Sequence, residues 1–141
     1  MAAVTLLFFV LDRILKYLFY FYHWGQRIWF INIMENRGIA FGIQLKNNIF
    51  YIIIFIIIIL LSWQLISHFR DKKYKNCFYL SLILFGAASN IIDRIKYGFV
   101  VDFIDIWFWP VFNLADIMIV AGCIMIMIQY LKSSKQGGFR K

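Results

Sequence analysis

Charged residues and proline are scarce in this chain. Only 16% of its 141 residues are charged and one is proline, whereas 63% are hydrophobic and 21% are aromatic. Soluble domains usually carry about 45–50% apolar and about 25% charged residues. A globule of this size has too little interior to bury such an apolar excess, so the composition predicts a protein embedded in lipid. No linker rich in Ser or Gly divides the chain, and we expect a single domain over residues 1–141.

Motifs for metal and nucleophile chemistry are also missing. The chain has two cysteines, Cys77 and Cys123, and two isolated histidines, His23 and His68. It contains no CxxC, HExxH or GxSxG pattern. We therefore expect no metal, no cofactor, no disulfide and no serine–histidine nucleophile.

Four apolar segments reach the roughly 17–25 residues needed to cross a bilayer core of about 30 Å. They are residues 2–22, 49–67, 76–92 and 114–131. The sequence before Asp12 lacks the pattern of a cleavable signal peptide, so we expect the first segment to remain as an anchor. The intervening residues form two outer loops, an inner loop and an inner tail: 23–48, 93–113, 68–75 and 132–141.

The distribution of basic residues predicts the orientation of the chain in the membrane. They are dense in the loop 68–75 and in the tail 132–141, and sparse in the other two connections. Because cytoplasmic loops carry the excess of Lys and Arg, we expect both termini in the cytoplasm. Four tryptophans then lie on the outer side, where interfacial aromatic residues are common: Trp24, Trp29, Trp107 and Trp109. The net charge of +8 reflects this topology, and we expect no nucleic-acid partner.

The few acidic residues are placed where charge is costly. An ionised side chain at bilayer depth costs roughly 2.5–3.5 kcal/mol on insertion scales. Asp12 and Lys16 lie one helical turn apart and can pair. The pair either neutralises itself or braces a polar site between helices. Arg94 either extends to the membrane interface or clamps neighbouring loops through its guanidinium.

Asp102 and Asp116 are the acids with the clearest catalytic potential. Asp102 lies in an apolar run, FVVDFIDIW, and Asp116 lies in FNLADIM at the start of the fourth segment. A chain reversal near Pro110 could bring them together. Two adjacent carboxylates resist double ionisation, which leaves one as a base and the other as an acid. The alternative for Asp116 is structural, with Asn113 as the helix N-cap and Asp116 at its third position.

Four motifs resemble those of lipoprotein signal peptidase (signal peptidase II), the bacterial membrane aspartyl protease family, and occur in the family's order. The first is Asp12 with Lys16, and the second is NRGIAF, which is similar to the family's N-x-G-x-A-F. The third includes Gly86, Asn90, Asp93 and Arg94 and is followed by VVDFID, and the fourth is FNLAD with Gly122. The resemblance covers residues 12 to about 122.

The resemblance implies the roles of individual residues. Asp102 and Asp116 would be the catalytic pair, and Asn90, Arg94 and Asn113 would order the pair and the substrate backbone. Asp12, Lys16, Asn36, Gly38 and Gly86 would shape the surrounding pocket. Ser89 departs from the family pattern, which usually has Gly before the third-block Asn. Because Ser is small, we expect close helix packing to be retained.

The resemblance also implies the fold and the partners. The fold would be an all-α membrane protein, with four transmembrane helices and a small β-rich extracytoplasmic cradle around residues 29–42. Its substrates would be lipidated prolipoproteins, cut before the diacylglyceryl-cysteine at the outer leaflet of the bacterial inner membrane. We expect a monomer in contact with membrane lipid. The short connection from Asp102 to Asn113 predicts a small lid, and the abrupt start of the first helix predicts a shallow Asp12 or a tilted helix.

Two alternatives from other functional classes compete with a peptidase. A small proton or ion carrier would use Asp12, Lys16, Asp93 and Asp116 as an intramembrane relay. A non-catalytic scaffold would carry the two aspartates without using their chemistry. The uncharged second segment offers no polar partner for a relay across the membrane, which favours the peptidase.

Overall fold

A computed structural model of the chain describes residues 2–22, 24, 28–39, 43–44 and 48–137. Two residues of the second motif, Ala40 and Phe41, lie outside the described residues, as do His23 and the end of the tail. The described residues include four long helices: α1 (Ala2–Tyr22), α2 (Asn48–Arg70), α3 (Tyr74–Tyr97) and α4 (Leu114–Gly137).

The first helix has the predicted bounds, and the other three are longer than predicted. The apolar run of a spanning helix marks only the part that lies in hydrocarbon, whereas its backbone hydrogen bonds continue into the flanking polar residues. The predicted inner loop 68–75 therefore shrinks to the turn Asp71–Lys73. Lys72 adopts a positive φ of 56° in this turn.

The expectation that an outer loop begins at residue 93 is wrong. Helix α3 continues through Asp93 and Arg94 to Tyr97, and Asp93 forms ion pairs there with Arg13 and Lys16. The helix ends at Gly98, whose φ of 80° is accessible to glycine without strain. The Gly98 N–H donates to the carbonyl of Arg94 at 3.0 Å and closes the last turn.

Among the described residues, three helical spans are long and apolar enough to cross a membrane: Ile52–Arg70, Tyr74–Tyr97 and Leu114–Ser134. Helix α1 is similar in length, at 21 residues. It differs because Asp12, Arg13 and Lys16 interrupt its apolar sequence.

Two small antiparallel sheets lie beside the helices. Strand β1 (Ile31–Asn36) pairs with β4 (Val100–Ile104), so that Met34 lies opposite Asp102 and Asn36 opposite Val100. Strand β2 (Gly38–Ile39) pairs with β3 (Ile43–Gln44). The prediction of β structure near residues 29–42 is confirmed. Strand β4 was not predicted, although its β-branched sequence VVDFI favours a strand.

Helix α3 lies at the centre and packs against α1, α2, α4 and β4. Glycines allow its close approach to α4. A Cβ at Gly86 would lie 2.5 Å from the carbonyl oxygen of Ala115, and one at Gly122 would lie 2.7 Å from that of Tyr79. Any other residue at either position would push the two helices apart. This contact determines where the first turn of α4, which includes Asp116, sits against α3.

Candidate active site

Asp102 and Asp116 line the same cavity, which has a volume of about 1100 Å³. Asp102 is at the middle of strand β4 and is only 1% exposed. Asp116 is in the first turn of α4 and is partly exposed. Pro110 also lines the cavity. The chain reverses around it, as the sequence predicted, because Ile104 and Phe112 form an antiparallel bridge.

Asn113 links the two carboxylates. Its side-chain Nδ2 donates to Oδ1 of Asp102 at 2.6 Å, and its backbone N–H donates to Oδ2 of Asp116 at 3.2 Å. In return, the backbone N–H of Asp116 donates to Oδ1 of Asn113 at 2.9 Å. This reciprocal pair is a capping box at the start of α4. The structural interpretation of Asp116 is therefore confirmed, and the same contacts also bring it to Asp102.

Two further asparagines donate to the carboxylate oxygens of Asp102 and Asp116 that Asn113 does not contact. Nδ2 of Asn36, from β1, donates to Oδ2 of Asp102 at 2.8 Å. Nδ2 of Asn90, from α3, donates to Oδ1 of Asp116 at 2.7 Å. Each carboxylate thus accepts hydrogen bonds from two amide groups that belong to different segments of the chain. Their orientations are fixed before a substrate arrives.

Burial raises the pKa of Asp102 to about 6. The hydrogen bond from Asn36 opposes this rise, the charge of Asp116 adds to it, and the bond from Asn113 and the charge of Lys16 oppose it. The loss of hydration at the buried carboxyl exceeds the stabilisation that the two amides give to its ionised form. Asp105 differs, because hydrogen bonds from Asn32 and from the Trp107 N–H lower its pKa.

Behind the pair lies a buried cluster of charged side chains. Lys16 is 2% exposed, and its Nζ contacts Asp12 at 3.2 Å, Asp93 at 2.8 Å and Oδ1 of Asn90 at 2.8 Å. The predicted pairing of Asp12 with Lys16 is confirmed. The contact of Lys16 with Asn90 favours the interpretation in which this pair braces a polar site between helices.

Arg13 was not among the site residues predicted from the sequence, and Ser89 was predicted only to allow close helix packing. Nη1 of Arg13 forms an ion pair with Asp93 and lies 3.2 Å from both the carbonyl and the hydroxyl oxygen of Ser89. The Ser89 hydroxyl donates to Oδ2 of Asp12 at 2.6 Å. Asp12 and Arg13 on α1 are separated from Ser89 and Asp93 on α3 by more than 70 positions. The useful signal was the hydroxyl group at a position where the family pattern has glycine.

Of the two interpretations of Arg94, the structure favours the one in which its guanidinium clamps a neighbouring segment. Its Nη2 donates to the carbonyl of Gly38 at 3.0 Å. The N–H of Gly38 in turn donates to Oδ1 of Asn36 at 3.0 Å, which orients that amide toward Asp102. Arg94, Gly38 and Asn36 thus hold β1 and its following turn in place beside the carboxylates.

The cavity also has an apolar wall. It is formed by residues of α2 together with residues of α3 and α4: Ile54, Ile57, Ile58, Leu61, Ile83, Ile91, Ile119 and Val120. The cavity can therefore hold an extended or helical apolar segment against α2 while a polar backbone group approaches the carboxylates. Among the described residues, no group of three or more His, Cys, Asp or Glu side chains is arranged to hold a metal ion.

Comparison with known proteins gives the same assignment as the motifs. The family model described as signal peptidase (SPase) II matches residues 4–132. A lipoprotein signal peptidase of Caldanaerobacter subterraneus subsp. tengcongensis is 39% identical over 150 residues, which cover 99% of this chain and 100% of the relative. A lipoprotein signal peptidase of Halothermothrix orenii is 37% identical over 112 residues, which cover 78% of this chain and 75% of the relative.

A solved structure supports the relationship at the level of the fold. The structure, described as a bacterial membrane enzyme, is 29% identical and superimposes with a TM-score of 0.78, covering 99% of this chain and 92% of the other. The family model matches nearly the whole chain, and one relative is 39% identical over its full length. This chain therefore belongs to the signal peptidase II family.

Proposed function

We propose that this protein removes signal peptides from lipid-modified prolipoproteins as an aspartic endopeptidase, with Asp102 and Asp116 as its catalytic groups. Relatives that share 37–39% of its residues carry the name lipoprotein signal peptidase. One observation carries the catalytic assignment: Asn113 bonds to both carboxylates at the polar end of a cavity whose other wall is apolar.

The chemistry is hydrolysis by an activated water. Burial raises the pKa of Asp102 to about 6, so below that pH Asp102 holds the shared proton of the resting site. Asp116 accepts a proton from the attacking water while Asp102 donates to the developing oxyanion of the scissile carbonyl. The proton on Asp116 then passes to the departing amine as the C–N bond breaks, and a hydroxyl of the collapsing gem-diol returns a proton to Asp102. Hydrogen bonds from Asn36, Asn90 and Asn113 keep both carboxylates in reach of one substrate atom.

The apolar wall would bind the hydrophobic segment of the signal peptide. Residues of α2 on this wall, such as Ile57 and Leu61, present only hydrocarbon to the cavity. Acyl chains on the substrate cysteine would remain in the bilayer and hold the scissile bond before that cysteine at the level of the carboxylates. Anchoring at two points supplies the positioning that a small enzyme cannot obtain from a deep cleft.

We further propose a four-helix topology with both termini in the cytoplasm and the sheets on the outer face of the inner membrane. Helix α1 would be the fourth span, because Asp12 and Lys16 are buried in the bundle rather than exposed to lipid. The whole chain would act as one domain and as a monomer. A reporter fused after residue 141 should be active only when it is of a type that functions in the cytoplasm. Activity only outside the cell would reverse the topology.

A carrier function is not favoured by family membership or by the placement of polar groups. The carboxylates and the buried charges gather at the sheet end of the helices. Within α2, residues 52–61 are all apolar and offer no continuation of a relay.

Cleavage by the purified full-length protein in detergent tests the proposal. A lipidated precursor should be cut immediately before its modified cysteine, which mass spectrometry of the product would show, and an unlipidated precursor should be cut far more slowly. EDTA and replacement of both Cys77 and Cys123 by Ala should leave turnover unchanged. Loss of turnover with EDTA, or with the double cysteine replacement in a folded protein, would contradict the aspartic assignment.

A further inference from the structure

The buried charged cluster behind the carboxylates reaches the backbone beside each of them. Oδ1 of Asp12 accepts the N–H of Ala115 at 3.0 Å, and Ala115 directly precedes Asp116. Oδ2 of Asp93 accepts the N–H of Val101 at 3.3 Å, and Val101 directly precedes Asp102. Two carboxylates of the cluster therefore fix the chain immediately before the two proposed catalytic carboxylates.

Lys16 joins these two supports into one unit. It contacts both Asp12 and Asp93, and its third contact, Oδ1 of Asn90, orients the amide that donates to Asp116. Asp12 and Asp93 are both 0% exposed. One lysine shared by two buried carboxylates would leave a net negative charge, which is costly in a medium of low dielectric.

Arg13 supplies the missing positive charge. Its side chain is 23% exposed and forms the ion pair with Asp93. With Arg13, the quartet of Asp12, Arg13, Lys16 and Asp93 has no net charge when all four are ionised. Ser89 closes the unit, because its hydroxyl donates to Asp12 while Arg13 lies against its oxygens. None of these five residues lines the cavity, so they act through other groups.

We infer that Arg13 and Asp93 are positioning residues that, with Asp12 and Lys16, form a charge-neutral quartet that holds the spacing and shared proton of the Asp102–Asp116 pair. This inference rests on the proposed function, because it assigns a role relative to that pair. The charged groups around the pair come from several elements. Asp12, Arg13 and Lys16 on α1 and Asp93 on α3 lie behind it. Arg94 on α3, with Glu35, Arg37 and Asp105, lines the same cavity.

The test changes the charge of the quartet in steps while leaving the cavity intact. The variants are Arg13→Gln, with a quartet charge of −1, Asp93→Asn, with +1, and the double variant, which is neutral again. Arg13→Lys keeps the charge and changes only the geometry. Arg70→Gln, an exposed arginine at the end of α2, is the matched control for net charge. Each full-length variant is assayed in detergent for kcat, KM and the pH profile of lipidated-precursor cleavage.

An excess of buried negative charge makes nearby carboxyls hold protons more tightly, so the pH profile of Arg13→Gln should move to higher pH by roughly half to one unit. The profile of Asp93→Asn should move to lower pH, and that of the double variant should return to the wild-type position. For Arg13→Gln we expect kcat at neutral pH to fall roughly tenfold or more from lost alignment, with KM little changed. Arg13→Lys should keep the wild-type profile and recover part of kcat.

Three results would overturn the inference. The first is wild-type kcat and pH profile in Arg13→Gln. The second is a loss of thermal stability and kcat in the single variants without opposite movements of their profiles, which indicates a purely structural role. The third is an equal movement in Arg70→Gln. Because the wild-type protein serves as the reference, inactive wild-type enzyme would instead defeat the proposed function itself.

Discussion

The two walls of the cavity are built by opposite means. On the polar wall, each polar side chain makes a hydrogen bond with another segment of the chain: Asn36 donates to Asp102, Asn90 donates to Asp116, and Lys16 donates to Asn90. On the apolar wall, side chains of α2 such as Ile57 make no directional bonds. Hydrogen bonds specify position within tenths of an ångström, whereas apolar contact tolerates small shifts of its partner.

Under the proposed function, this difference predicts that catalysis and binding depend on different walls. Positions on the polar wall should control kcat, because the reacting atoms must be aligned there. Positions on the apolar wall should control KM, because contact with the signal segment is the same in the ground state and the transition state. Substitutions on the two walls test whether the separation holds.

The largest effect is expected at the carboxylates. Asp102→Asn or Asp116→Asn should each lower kcat by about 10²–10⁴-fold, the usual contribution of a general acid or base. Binding of the lipidated precursor should be largely retained, because the apolar wall is unchanged. The double variant should be little worse than either single variant, since the two groups act as a unit. Turnover and precursor binding by purified variants measure this, and substantial turnover in either single variant would falsify the pairing.

A second large effect is expected at Gly86, which supports the polar wall from behind. In Gly86→Ala, the new Cβ would lie 2.5 Å from the carbonyl oxygen of Ala115 and displace the turn that contains Asp116. We expect kcat to fall by up to about 10²-fold, because a shift of about 1 Å at a catalytic group has that consequence.

Gly122→Ala is the matched control for Gly86→Ala. It creates a similar clash between α3 and α4, with its Cβ 2.6 Å from Cγ1 of Ile83, but two turns of α4 away from Asp116. Both variants should melt at a lower temperature. Only Gly86→Ala should lose turnover per folded molecule, and an equal loss in both would mean that general helix packing controls the rate.

The sequence predicted the helices well and the supporting contacts poorly. Apolar runs reveal spanning segments directly. The motifs predicted that Asp102 and Asp116 act together, and both line one cavity. The ion pair of Arg13 with Asp93 joins residues 80 positions apart, and no local pattern encodes such a contact. Strand β4 was missed for a related reason, because its partner β1 lies more than 60 residues earlier in the chain.

The pH dependence tests the electrostatics of the polar wall. Because the pKa of Asp102 is raised to about 6, its proton is present below that pH and is lost as the pH rises through it. We expect kcat/KM to fall on the alkaline side of about pH 6, by about tenfold per unit. The hydrogen bond from Asn36 lowers the pKa of Asp102. Asn36→Ala should therefore move this alkaline limb to higher pH, and an unchanged or lower limb would contradict the assignment of the proton to Asp102.

A moderate effect confined to KM is expected on the apolar wall. Ile57→Ala removes three carbons from the cavity surface. At about 0.8 kcal/mol for each buried CH₂ group, the loss of one to three such contacts should raise KM roughly 4- to 60-fold. Its kcat should change little. The preceding residue, Ile56, does not line the cavity, so Ile56→Ala provides the control and should leave both constants unchanged. A fall in kcat for Ile57→Ala without a rise in KM would show that the two walls are not separable.

The smallest effect is expected at Asp105, three residues beyond Asp102 and also on the cavity surface. Its Oδ2 accepts from Nδ2 of Asn32 and its Oδ1 from the N–H of Trp107, each at 2.9 Å. These bonds hold the loop and lower the pKa of Asp105, so its carboxylate stays ionised wherever the enzyme works and has no proton to exchange. In Asp105→Asn the amide oxygen can still accept from Trp107, and Asn32 can turn its own amide to restore the second bond. Turnover should therefore fall by no more than about twofold, since only one exposed hydrogen bond is perturbed. Parallel assays of Asp105→Asn and Asp102→Asn measure the contrast, and equal losses would remove the distinction between a carboxyl placed for chemistry and one placed to hold a loop.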